Sequence, residues 1–191
     1  MLLPFEKLKS LYLSENAIGG NLENEELNNL TNLKSLDLSG NKIESISNKE
    51  WNNLTNLKYL DLSYNNIESI SNQGFQWLSR LTKLETLNLT GNSLKNSILF
   101  DMRNLSSLKT LRLSSNQLEG RLLHIQGLSN LINLKKLDLS ENQIESLQSS
   151  KGWCDLRNLE VLDVSGNALE GMLPHCFSNL TALRVLDISR W

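Results

Sequence analysis

One spacing governs this chain. Leu8, Leu11, Leu13, Asn16 and Ile18 set the pattern L-x-x-L-x-L-x-x-N-x-Φ, with Φ apolar. It returns at Leu33, Leu36, Leu38, Asn41, Ile43, and at Leu57, Leu60, Leu62, Asn65, Ile67. Further copies are Leu84, Leu87, Leu89, Asn92, Leu94, then Leu108, Leu111, Leu113, Asn116, Leu118. Two more follow, at Leu134, Leu137, Leu139, Asn142, Ile144 and at Leu159, Leu162, Val164, Asn167, Leu169, and an eighth begins at Leu183, Leu186, Ile188. The first leucines are 25, 24, 27, 24, 26, 25 and 24 residues apart. A unit this short cannot bury its own apolar face, so neighbouring units must stack into an array.

Each position has a physical reading. The L-x-L centre alternates, which predicts a short strand with its leucines turned inward. Stacked units then pair these strands into a parallel sheet, expected on the concave face. The Asn falls where the strand ends and the chain turns. Its amide can satisfy backbone groups that would otherwise be buried unpaired. The expected ladder is Asn16, Asn41, Asn65, Asn92, Asn116, Asn142 and Asn167.

Three residues before each first leucine stands another apolar residue, and three earlier again a second: Leu30 and Leu27, Leu54 and Trp51, Leu156 and Trp153. A spacing of three fits 3₁₀ turns on the convex return better than a regular α-helix. Trp51 and Trp153 fall on an apolar column and are read as packing residues. The pattern is that of the leucine-rich repeat. The fold expected is a leucine-rich repeat solenoid of about seven and a half coils, residues 1–191 forming one array with no N- or C-terminal cap. The longest unit, Leu57 to Leu84, should bulge within residues 69–80.

Composition agrees with such a frame: 43 Leu and 25 Asn in 191 residues, with only two Pro. A net charge of −2 argues against a basic nucleic-acid surface. No apolar run approaches the roughly 20 residues of a membrane helix. The first residues lack the long apolar core of a signal peptide. No G-x-S-x-G, phosphate loop or H-E-x-x-H occurs, and two His with two Cys fall short of an ordinary structural zinc site. His124 and His175 read as solvent-facing polar residues. No enzyme activity, metal or cofactor is expected.

The residues after the Asn carry a finer signal. Asn167-Ala168-Leu169-Glu170-Gly171-Met172-Leu173-Pro174 reads N-x-L-x-G-x-Φ-P, and the units at Asn116 and Asn16 keep Gly120 with Leu122 and Gly20 with Leu22 but not the Pro. This resembles the plant-specific leucine-rich repeat class. The run WCDLRNLEVLDVSGNALEGMLPHCFSNLTALRVLDIS resembles the ectodomain of plant receptor-like proteins, cell-surface receptors without a kinase domain. The resemblance covers essentially the whole chain. Units such as Glu44-Ser45-Ile46 place Ser where the Gly stands and shorten the next apolar step by one. That family also has a signal peptide, caps, more repeats and a membrane helix. Lacking them, the chain reads as an internal slice of a receptor ectodomain or a truncated product.

Cys154 and Cys176 hold nearly equivalent places on adjacent coils, which run about 5 Å apart, so they are read as a disulfide, two buried thiols being the alternative. Five N-x-S/T sequons occur, at Asn29, Asn53, Asn88, Asn104 and Asn179. All but Asn88 sit four residues before a first leucine, on the expected convex surface, where glycans suit a secreted protein. Asn88 sits mid-strand.

The outward strand residues form columns. One reads Tyr12, Asp37, Asp61, Asn88, Arg112, Asp138, Asp163, Asp187; the next is Ser or Thr throughout. The hydroxyl column and most Asp read as part of the frame. A third column is mostly Lys, Glu or Arg, and its lysines beside the aspartates are expected largely to cancel the field. Tyr59, Asp61, Tyr64, Asn88 and Arg112 depart from or flank this frame and are the candidate contact residues, since Tyr and Arg are enriched at binding hot spots. The competing reading is that Arg112 only neutralises Asp138 and Tyr64 only covers the next coil.

The expected function is non-catalytic binding of a protein or peptide ligand and a co-receptor by the concave face, with no nucleic acid and no membrane contact by this segment. The resemblance implies the outer side of the plasma membrane and a role in defence or development. A stand-alone secreted inhibitor, an intracellular scaffold, or a fragment without independent function are the alternatives.

Overall fold

A computed structural model describes residues 5–22, 27–46, 51, 53–68, 75–122, 125–148 and 152–190. Its strands, in chain order, are β1 (Ser10–Tyr12), β2 (Gly19–Leu22), β3 (Ser35–Asp37), β4 (Lys42–Ile46), β5 (Tyr59–Asp61), β6 (Thr86–Asn88), β7 (Thr110–Arg112), β8 (Glu119–Arg121), β9 (Lys136–Asp138), β10 (Gln143–Ser146), β11 (Val161–Asp163) and β12 (Val185–Asp187). The short helix α1 spans Ile98–Asp101. Six 3₁₀ turns lie on the return segments among the described residues, at Leu27–Asn29, Gln76–Arg80, Met102–Asn104 directly after α1, Ile125–Leu128, Trp153–Asp155 and His175–Asn179. The three-residue apolar spacing therefore yields the 3₁₀ geometry expected of it.

Eight strands form one parallel sheet in the order β1-β3-β5-β6-β7-β9-β11-β12, so each coil pairs with the next. The register puts every central leucine in one row: Leu11, Leu36, Leu60, Leu87, Leu111, Leu137, Leu162 and Leu186. Those from Leu36 to Leu162 have no exposed surface. The repeat has thus become a solenoid whose core is a stack of leucine layers.

Two ribbons lie beyond the sequence pattern. β2 pairs with β4, and β8 with β10, both parallel. Each joins a Gly-bearing coil to the Ser-bearing coil that follows. Leu22 is six residues past Asn16, while its partner Ile46 is five past Asn41. A register shift after Gly20 absorbs the difference, and Gly20 takes φ +71°, a left-handed value that costs Gly little.

The turn after each main strand also uses left-handed backbone. Glu15, Gly40, Tyr64, Gly91, Ser115, Glu141, Gly166 and Arg190 hold φ between 52° and 66°. The chain needs this kink to leave the sheet, and only three of the eight are glycine.

Behind the kink stand the asparagines. Asn92 Nδ2 donates to the carbonyls of Leu62 (3.0 Å), Leu89 (3.1 Å) and Thr90 (3.3 Å), and its Oδ1 accepts from the Ile67 amide (3.0 Å). The same four bonds recur at Asn41, Asn65, Asn116, Asn142 and Asn167, all buried. Asn16 is exposed and donates to Leu13 and Ser14 of its own coil.

A second asparagine ladder, one residue before the first leucine, escaped the sequence reading. Asn32, Asn56, Asn133 and Asn158 donate to the carbonyls of Glu6, Thr31, Ser106 and Ile132 in the preceding coils, at 2.7–3.0 Å. The high Asn content thus has two structural sources.

Trp51 and Trp153 are fully buried packing residues. Trp51 packs against Trp77 with ring centroids 4.8 Å apart, and Trp153 meets Phe177 edge-on at 5.7 Å. Trp77 lies outside the apolar columns. The 27-residue unit supplies it, together with buried Phe75, as extra core beside Trp51. Residues 69–74 of the expected bulge lie outside the described residues.

Candidate functional site

The outer face of the sheet is a hydrogen-bonded frame. Asp37 Oδ1 accepts from both the amide (2.9 Å) and hydroxyl (2.6 Å) of Ser39, because residues two apart on a strand share a face. Asp61, Asp138 and Asp163 repeat the arrangement with Ser63, Ser140 and Ser165. One oxygen of each carboxylate is therefore committed to ending the strand.

Asp61 departs from the others. Its second oxygen, Oδ2, accepts from the Tyr59 hydroxyl (3.0 Å) and from Asn88 Nδ2 on the next coil (2.8 Å). Tyr59, Asp61 and Asn88 thus form one network, with Asp61 buried. Burial first, then the Asp61 charge and the hydrogen bond to it, push the Tyr59 hydroxyl up to about 12. The phenol stays a donor to Asp61 at neutral pH.

Arg112 stands in register between Asn88 and Asp138 and is exposed. Tyr64 points away from the network. It is 66% exposed, and its ring lies over Gly91 of the next coil. Three of the five candidate residues are therefore hydrogen-bonded together, a fourth lies beside Asn88, and the fifth covers the neighbouring coil.

The lysines lie beside the aspartates but, among the described residues, do not pair with them. They pair along their own column: Glu85 bridges Lys58 and Lys109 at 2.7 Å each, and Glu160 holds Lys135 at 2.8 Å. Adjacent coils bring these side chains within reach, whereas the Asp column lies three residues farther along the strand and its oxygens already serve Ser. The two lysine hydrogen bonds hold the Glu85 carboxyl down at about 2.

On the return side, Cys154 and Cys176 are joined with Cα atoms 5.4 Å apart, linking the 3₁₀ turns of two successive coils. The sequon residues Asn29, Asn53, Asn104 and Asn179 are exposed there, while Asn88 is held within the sheet network. His175 is exposed, and His124 lies outside the described residues. Among the described residues no group of three or more His, Cys, Asp or Glu side chains could hold a metal ion, and no helix is long and apolar enough to cross a membrane.

A stack of leucine-layered coils, tied by asparagine ladders and presenting a polar parallel sheet, defines a repeat scaffold. This chain belongs to the leucine-rich repeat family. One leucine-rich repeat model matches residues 6–67, 31–94 and 132–190, and a second matches residues 107–131. No curated protein matches it in sequence.

Solved structures are similar over nearly the whole chain. A leucine-rich repeat protein of Leptospira interrogans is 32% identical with a TM-score of 0.84, covering 97% of this chain and 44% of that one. The Arabidopsis receptor kinase HAESA, in complex with the peptide hormone IDA and the co-receptor SERK1, is 32% identical with a TM-score of 0.78, covering 96% and 30%. The TLR13–ssRNA13 complex is 33% identical with a TM-score of 0.78, covering 94% and 24%. The chain thus spans less than half the length of each. It is a leucine-rich repeat domain resembling receptor ectodomains, and the similarity extends to a bacterial protein as well as to plant receptors.

Proposed function

We propose that this chain is a ligand-recognition segment of a plant-class receptor-like protein, working on the outer side of the plasma membrane, and that the open face of the sheet is its concave binding surface. The partner is a protein or peptide ligand, with a co-receptor, engaged without catalysis. One observation carries the reading. Apart from Tyr12 on the first coil, the departures from the repeat frame fall on three adjacent coils, where Tyr59 and Asn88 join Asp61 in one hydrogen-bonded set and Arg112 stands beside Asn88. Tyr59 offers a ring held by Asp61, so little side-chain freedom is lost on binding. Arg112 offers a guanidinium fork for a carboxylate or carbonyl. Tyr64 extends the aromatic surface at the rim. The N-x-L-x-G-x-Φ-P motif supports the plant class, and the likeness to HAESA supports a peptide partner.

The test is selection of a random peptide display library on the immobilised chain. Enriched peptides should lose affinity for Tyr59→Ala and Arg112→Ala and keep it for Lys42→Ala, an exposed lysine of β4 outside the sheet face. Enrichment that survives both sheet-face variants, with the fold intact, refutes the site.

A further inference from the structure

Two of the coils that depart from the frame on the sheet, those of Asn88 and Arg112, also depart from it at the edge where the strands begin. The second asparagine ladder runs along this edge and is interrupted at Lys83 and Ser107, in the coils of Asn88 and Arg112. The neighbouring column, mostly lysine, is interrupted in one of those coils by Glu85. Lys58, Lys83, Glu85, Ser107, Lys109 and Asn133 line a shallow depression of about 330 Å³. Its charge is three ammonium groups against one carboxylate.

The disposition of these charges matters more than their sum. Glu85 lies between Lys58 and Lys109, 2.7 Å from each, so a carboxylate already fills the place where the two ammonium groups converge. Among the described residues Lys83 meets no carboxylate. It donates to the side-chain oxygen of Asn56 at 2.7 Å, and Asn56 Nδ2 in turn donates to the Thr31 carbonyl. An amide oxygen positions the ammonium group without neutralising it. Ser107 and the lysines add hydroxyl and ammonium donors at the rim.

From this we infer that the depression is an accessory docking site for an acidic side chain of a polypeptide partner, which pairs with Lys83 and shares Lys58 and Lys109 with Glu85. A short acidic segment fits better than a polyanion. Asp37, Asp61, Asp138 and Asp163 line the adjacent sheet face and repel any extended chain of phosphates, whereas a lone carboxylate at the edge avoids them. The inference rests on the proposed function only in taking the partner to be a polypeptide.

The experiment measures binding of fluorescein-labelled hexaglutamate to the full chain by anisotropy, at about 50 mM and about 300 mM salt to bracket the screening of exposed charge. Saturable binding that weakens with salt is expected. Rim charges contribute modestly, so Lys83→Ala should weaken binding about two- to fivefold and Lys83→Glu by about tenfold. Glu85→Gln separates a docking site from a merely structural ion pair. Removing the internal carboxylate frees both lysines and should strengthen binding about two- to fivefold. Lys42→Glu makes the same charge change as Lys83→Glu on another surface and should do less than half as much.

The inference fails if binding is not saturable, if Glu85→Gln leaves it unchanged or weaker, if Lys42→Glu matches Lys83→Glu, or if a thymidine hexanucleotide binds more tightly than hexaglutamate. The edge is read by the response to the Lys83 and Glu85 substitutions, which lie outside the sheet-face site. Failure of the sheet-face site in the library selection therefore leaves this result standing, and the converse also holds.

Discussion

The ring of Tyr64 lies so closely over Gly91 that a β-carbon at Gly91 would stand 2.7 Å from Tyr64 Cδ1. The two residues hold the same left-handed turn position in successive coils, φ +53° and +66°. Large and absent side chains complement each other there. The pattern recurs where Glu15 approaches Gly40 and Glu141 approaches Gly166, across which Arg190 reaches Glu141 at 2.8 Å.

Gly91→Ala should therefore cost more than its backbone term. A left-handed alanine costs about 1–2 kcal/mol, and displacing the Tyr64 ring should bring the total to about 2–3 kcal/mol. Gly120→Ala, at φ +62° with nothing within 4 Å, should show the backbone term alone. Urea unfolding of both variants, and of Gly91→Ala combined with Tyr64→Ala, measures the difference. The double variant should recover the steric part. Equal losses at Gly91 and Gly120 would mean that the ring gives way freely.

Asn92→Ala removes four hydrogen bonds and strands the Ile67 amide in the core, while Asn65 and Asn116 still donate to the Leu62 and Leu89 carbonyls. A buried amide left unpaired costs about 1–3 kcal/mol, so with the other lost bonds a total of about 2–4 kcal/mol is expected. Asn16→Ala, at an exposed turn, should cost under about 1 kcal/mol by the same reckoning. Hydrogen exchange should show the Asn92 variant opening first around coils three and four, because a solenoid is stabilised by nearest neighbours. Comparable losses at Asn16 and Asn92 would contradict the ladder.

Tyr59 titrates late. Its hydroxyl is raised from 10.0 to about 12 in the folded chain. A group raised on folding adds stability that is complete below its unfolded value. That contribution is lost as pH climbs from about 10 towards 12. Ultraviolet titration should show an ionisation well above pH 10 that disappears in Tyr59→Phe. Asp61→Asn should bring its midpoint down by removing the charge, while burial keeps it above the ordinary value. If no late ionisation is lost in Tyr59→Phe, the Tyr59–Asp61 contact is contradicted.

Opening the Cys154–Cys176 link frees a segment with a sequence separation of 22. Loop entropy puts the loss at about 3 kcal/mol. Replacing both cysteines by Ala should lower the unfolding midpoint, with the greatest loss of amide protection in the last two coils. Protein purified from an oxidising compartment should resist alkylation until reduced. Ready alkylation of both thiols in that material argues against the link.

Expressed through a secretory route, the chain should carry glycans at Asn29, Asn53, Asn104 and Asn179, which are exposed, and not at Asn88, whose side-chain nitrogen is given to Asp61. Peptide mapping after enzymatic deglycosylation reads this directly. A glycan at Asn88 would mean that the Asp61 network forms only after glycosylation is complete, or not at all.

Much of the scaffold is legible because the repeat places the same residue in the same surroundings seven times over. The leucine row from Leu36 to Leu162, the 3₁₀ returns and the buried ladder from Asn41 to Asn167 are each set by positions within one unit. The second ladder is not visible in that way. Asn32, Asn56, Asn133 and Asn158 are polar residues in a polar turn, like any surface asparagine, until the preceding coil's carbonyl is brought beside them. Among the candidate contact residues, sequence columns could group Tyr59, Asp61, Tyr64, Asn88 and Arg112 by face. They could not divide them into a hydrogen-bonded trio, a neighbouring guanidinium and a ring resting on Gly91.

The division follows from the range of the forces. Periodicity, turn chemistry and apolar spacing act within about one coil, and these the sequence by itself determined: parallel strands, their inward leucines, and the turning asparagines. The pairing of Lys58 and Lys109 with Glu85, the placing of Trp77 against Trp51, the ribbon of β2 with β4, and the sharing of Asp61 between Tyr59 and Asn88 were decided only by the tertiary structure. Each joins residues some 20 to 30 positions apart, and their contact depends on the 4.7–4.9 Å spacing at which neighbouring parallel strands hydrogen-bond.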